Sequence, residues 1–77
     1  MISKGTMIHL VGADDTYYKM LKDVDTVKLR VHRYKDNADM VAELVRLGYA
    51  EKIRVFQLYA SDNASFVWLE LQGYKAT

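Results

Sequence analysis

The chain has 77 residues, 11 Lys and Arg against 10 Asp and Glu, and no cysteine. That length is enough for one domain, spanning residues 1–77, and leaves little room for both a core and a deep pocket. The near-zero charge excludes an acidic mimic of nucleic acid and a histone-like basic binder, so electrostatic function must come from local clustering. Lack of cysteine excludes disulfides, thiolate metal sites and thiol catalysis. In so small a domain it also favours a cytoplasmic location over a secreted one. Hydrophobic residues make up 51% of the chain, a folding composition. No apolar run reaches the ~20 residues of a membrane-spanning helix. Residues 1–5 read as a loose N-terminal end.

Met7 to Val11 reads as a first strand. Gly12 and Ala13 end it, and Asp14 or Asp15 can cap a helix. Tyr17, Met20, Leu21 and Val24 fall at i, i+3, i+4 and i+7, the stripe of a helix burying one face. The rival reading makes residues 12–15 a hairpin turn and residues 16–21 a second strand. A strand over 27–34 follows, with Val27, Leu29 and Val31 on one face and Lys28, Arg30, His32 and Tyr34 on the other.

Asp36 or Asn37 then caps a helix, and Asp39 places negative charge in its first turn, where the dipole favours it. Met40, Val41, Leu44, Val45 and Leu47 form its apolar face. Glu43 and Arg46 lie outside that face and can pair at i, i+3. Gly48 sits where a left-handed residue ends a helix, with Tyr49 folding back towards Leu44. A strand over 52–59, a turn-rich loop over 60–65 and a returning strand over 66–73 complete the chain, with a short tail over 74–77.

The resulting expectation is an α+β domain with a four-stranded mixed sheet and two helices, in the order β-α-β-α-β-β. The alternative is β-β-β-α-β-β with one helix. The strands over 27–34 and 52–59 should form a right-handed parallel crossover around the intervening helix.

In that architecture the outward residues gather on one sheet face. Lys28, Arg30, His32, Tyr34, Arg54, Phe56, Phe66 and Trp68 would mix cations with large rings, joined by His9 from the first strand. Such a face suits a protein interface, where Trp, Tyr and Arg dominate binding energy. It also suits single-stranded nucleic acid, whose bases stack on rings while cations meet phosphates. Cross-strand aromatic and arginine pairs that only stabilise the sheet explain the same residues.

His9 and His32 lack a third metal ligand by spacing, and the pairs Asp14-Asp15 and Asp23/Asp25 read as caps and turns. No nucleophile sits beside a base, and no glycine-rich loop cradles phosphate. The expectation is therefore no catalytic residue, no cofactor and no metal, a protein partner, with nucleic acid or a homodimer as alternatives, and no membrane. In its general character the chain resembles the small accessory proteins of phages and mobile elements. That resemblance implies a non-enzymatic module that binds and modulates, as an inhibitor does, a host protein; it rests on class and on no particular residue.

Overall fold

The computed structural model describes residues 1–56 and 63–71. Within them the elements are β1 (Met7–Ile8), β2 (Thr16–Met20), α1 (Thr26–Leu29), α2 (Asn37–Arg46), β3 (Ala50–Arg54) and α3 (Ala64–Leu71). The sheet order is β1-β2-β3, and both pairings are antiparallel. The α+β class holds. The four-stranded mixed sheet with its parallel crossover is corrected to three antiparallel strands and three helices.

The first correction lies at residues 16–20, where the hairpin reading prevails over the helical stripe. Met7 pairs with Lys19 and Ile8 with Tyr18, while Tyr17 pairs with Ile53 and Met20 with Ala50. As the central strand, β2 satisfies its backbone on both edges, and its aromatic side chains suit a pleated surface better than a helix. Tyr17 and Met20 therefore point to opposite faces, which the helical stripe would have placed together.

The second correction lies at residues 27–34. The carboxylate of Asp25 accepts from the Val27 amide at 3.0 Å and caps a short helix, and turns follow through His32. Only Leu29 of the alternating valine and leucine set is buried. Val27 and Val31 are 63% and 78% exposed. The period-2 pattern is real, but the sheet offers this segment no strand to pair with, and it gives the core buried Leu29 and half-buried Tyr34.

The third correction lies at residues 66–71, which are helical. Ala64, Val67 and Leu71 are buried and Trp68 packs against the core, a spacing of i, i+3, i+4 and i+7. The strand reading used Val67, Leu69 and Leu71, which share two members with that stripe. The parts of the expected strands and tail beyond Phe56 and Leu71, and the loop over 60–62, lie outside the described residues.

Helix α2 follows its sequence signals. Asp36 accepts from the Asp39 amide at 2.9 Å. At the other end Gly48 has φ +80°, its amide reaches Val45 O at 3.0 Å, and the Tyr49 amide reaches Leu44 O at 2.9 Å. This is the Schellman geometry, which requires a left-handed residue at Gly48. It turns the chain straight into β3.

The core joins Ile8, Met20 and Ala50 of the sheet to Leu29, to Met40, Val41 and Leu44 of α2, and to Val67 and Leu71 of α3. In place of the loose end expected over residues 1–5, Ile2 is 3% exposed and exchanges both backbone hydrogen bonds with Val24, at 2.9 and 2.8 Å. Among the described residues no helix is long and apolar enough to cross a membrane.

Candidate functional site

The expected basic and aromatic face depended on strands at 27–34 and 66–73. With a short helix and turns at 27–34 and a helix over the described part of 66–73, its members are redistributed. Lys28 lies on α1 and Arg30 at its C-terminal end, where the Arg30 guanidinium donates to Glu70 O of α3 at 3.2 Å. His32 Nδ1 lies 3.9 Å from the Glu43 carboxylate of α2. Tyr34 is half-buried against the core and donates its hydroxyl to Leu29 O at 3.3 Å. Burial, and then the charges of Glu43 and Asp39, push its phenol above the ordinary tyrosine value.

Phe66 is exposed on α3, whereas Trp68 of the same helix is half-buried. The Trp68 indole Nε1 is enclosed and meets no acceptor among the described residues. Trp68 thus serves packing. His32 and Tyr34 stay near each other, with ring centroids 6.4 Å apart and Glu43 acting on both, whereas Lys28, Arg30, Phe66 and Trp68 sit on α1, at its end and on α3 and not on one sheet face.

Arg54 and Phe56 remain together, since they sit two residues apart at the end of β3. The Arg54 guanidinium carbon lies 5.9 Å from the Phe56 ring centroid. Arg54 also bonds the Asp15 carboxylate, at 3.0 Å to Oδ2 and 3.4 Å to Oδ1. The Val55 amide reaches Asp15 O at 2.7 Å and ties the end of β3 to the start of β2. Antiparallel pairing brings the β1–β2 turn to this same end of the sheet. In that turn His9 Nε2 donates to Ala13 O at 3.0 Å and lies 3.1 Å from Asp14 O, while its ring stacks on Tyr17 at 4.3 Å.

This sheet end presents two large apolar side chains to solvent, Val11 at 82% exposure and Phe56 at 86%. The sequence reading passed over Val11 as the last residue of a strand. The signal was its place immediately before Gly12, because an apolar side chain in a hairpin turn cannot reach the core. Asp15, read as a helix cap, instead fixes Arg54.

A second feature was not anticipated. A shallow cavity of about 340 Å³ has Lys22, Asp23, Asp25, Lys28, Leu29 and Tyr49 in its lining. The Lys22 ammonium lies 4.5 Å above the Tyr49 ring. Both carboxylates serve backbone amides, Asp23 that of Lys4 at 2.6 Å and Asp25 that of Val27 at 3.0 Å. Two lysines against two aspartates leave this lining without a net sign. Among the described residues no three metal-ligating side chains come together.

No protein-family model, curated protein or solved structure matches the chain at a significant level.

Proposed function

We propose that the chain is a non-enzymatic interaction module that binds a partner protein through the sheet end carrying Val11, Arg54 and Phe56. The observation that carries this reading is Phe56, 86% exposed beneath a guanidinium that Asp15 holds in place. Burying such a ring stabilises a fold by about 1.5–3 kcal/mol, and this fold forgoes that gain. An aromatic ring beside an ordered arginine is a composition that interfaces concentrate at their energetic centres. Modulation of a host protein, in the manner of a phage or mobile-element inhibitor, is the role we assign to such a module. A reducing cytoplasm is its setting, which the lack of cysteine supports.

The test is affinity capture from bacterial lysate on the immobilised chain, read by mass spectrometry, with Phe56→Ala and Arg54→Ala run in parallel. Both variants should keep the native circular dichroism spectrum, because surface changes of this kind alter stability by only about 0.5 kcal/mol. The expected result is one protein retained by the native chain and lost by about tenfold or more on Phe56→Ala, as for a residue at an energetic centre. Retention that ignores both substitutions, or that vanishes on nuclease treatment, overturns the reading. The second outcome would favour single-stranded nucleic acid.

A further inference from the structure

We propose that the outer edge of β3 is a docking edge for an extended acidic segment of the partner, which adds to the sheet as a further strand. This rests on the interaction reading above and names the mode and the chemistry of the contact.

The backbone of β3 sets the geometry. The Leu21 amide bonds Tyr49 O at 2.8 Å and the Val55 amide bonds Asp15 O at 2.7 Å. With Tyr17 opposite Ile53 and Lys19 opposite Glu51, the odd-numbered residues of the strand turn their backbone groups towards β2. The N–H and C=O of Lys52 and Arg54 therefore point away from the sheet, and among the described residues nothing meets them. Both side chains are exposed. Two successive outward residues with free donors and acceptors are what an added strand pairs with.

Charge selects the occupant. In a two-fold antiparallel pairing of β3 with a second copy, the register centred on Lys52 sets Lys52 against Lys52. The register centred on Glu51 sets Glu51 against Glu51, and that centred on Ile53 sets Lys52 against Arg54. Each places like charges directly opposite, which destabilises a ladder. A segment with carboxylates at alternate positions instead meets Lys52 and Arg54 on one face. It then runs past them to Phe56, so edge and ring form one continuous contact.

Amide hydrogen exchange tests this, with a capped peptide alternating glutamate and threonine as the probe and its lysine–threonine counterpart as the control. The acidic peptide should slow exchange at Lys52 and Arg54 by about fivefold more than the basic one, the value of one or two cross-strand charge pairs. Lys52→Glu, which preserves the fold, should reduce that preference. Equal slowing by both peptides, or none, overturns the proposal. So does slowing that grows with protein concentration without peptide, since the occupant is then a second copy.

Capture with Lys52→Pro separates this inference from the reading beneath it. Proline there removes the outward N–H together with the lysine charge, both of which the docking edge uses, and is tolerated at an edge whose N–H faces solvent. If that variant still retains the Phe56-dependent protein, the edge proposal fails and the interaction reading stands. If no Phe56-dependent protein exists, the interaction reading fails whatever the peptides do.

Discussion

Helices α2 and α3 pack on the same core by different means. Helix α2 carries its own boundaries, with Asp36 at its start, Asp39 in its first turn, and Gly48 in the left-handed region just past its end. At the start of α3, the Val67 amide bonds Asn63 O at 3.0 Å, and the Asn63 side chain is turned away to donate to Met7 O of β1. Its ends are tied outward, through Asn63 to the sheet and through the Glu70 carbonyl to Arg30. One helix is specified locally and leans on the core for stability. The described contacts of the other reach across the fold, to β1 and to Arg30.

The sharpest way to break that contrast is to empty the shared core. Leu44→Ala in α2 and Leu71→Ala in α3 each remove a side chain that is essentially inaccessible, at 0% and 1% exposure. Each should cost about 2–5 kcal/mol. For a domain of this size that is a large part of total stability, so both variants should melt far earlier in urea. A single transition is expected in each, because both leucines belong to one cluster. If Leu71→Ala instead releases α3 while α2 and the sheet keep their amide spectrum, the core is two units and not one.

Next come the local signals of α2. A Cβ on Gly48 meets nothing within 4 Å, so Gly48→Ala is opposed by backbone conformation alone. The left-handed region costs an L-residue about 1–2 kcal/mol, and the urea midpoint should fall accordingly. Asp36→Ala removes the acceptor for the Asp39 amide and should cost about 1 kcal/mol. Either variant as stable as the native chain would mean that α2 is held only by the core it packs on.

The same division explains what could be read from sequence. Helix α2 was legible because cap, stripe and terminal glycine agree within a dozen residues. Residues 66–71 were misread because Val67 and Leu71 satisfy a period of two and a period of 3.6 alike. Trp68, which the strand reading turns outward, and Ala64, in a stretch that looks like turn, decide between them. The segment over 27–34 alternates as a strand should, but a strand needs a neighbour, and pairing is a property of the whole sheet. For β2 the correct alternative was in hand, and what settled it was pairing with β1 and β3. The candidate site followed the same rule. Arg54 with Phe56, and His32 with Tyr34, stay together because those contacts are local, whereas joining them to Lys28, Arg30, Phe66 and Trp68 on one face depended on a long-range register that does not exist.

The smallest effect concerns charge on the outer side of α2. Glu43 and Arg46 pair at i, i+3, as their spacing suggested, and His32 adds a weaker contact from the turn after α1. The hydrogen bond from Arg46 does most to hold the Glu43 carboxyl below its ordinary value; desolvation opposes it, and the charges of Arg46 and His32 add smaller lowering effects. A carboxylate whose folded value lies below its unfolded one contributes stability above the unfolded value and loses it as pH falls through the folded one. The contribution of Glu43 is thus complete at neutral pH and disappears on acidification through and below the usual glutamate range. Glu43→Gln has no such group to titrate. Urea midpoints of the native chain and the variant should differ slightly at neutral pH, in favour of the native chain, and converge in acid. Because the pair is exposed, salt should shrink the neutral-pH difference. A difference that persists unchanged in acid would mean that Glu43 acts through packing and not through its charge.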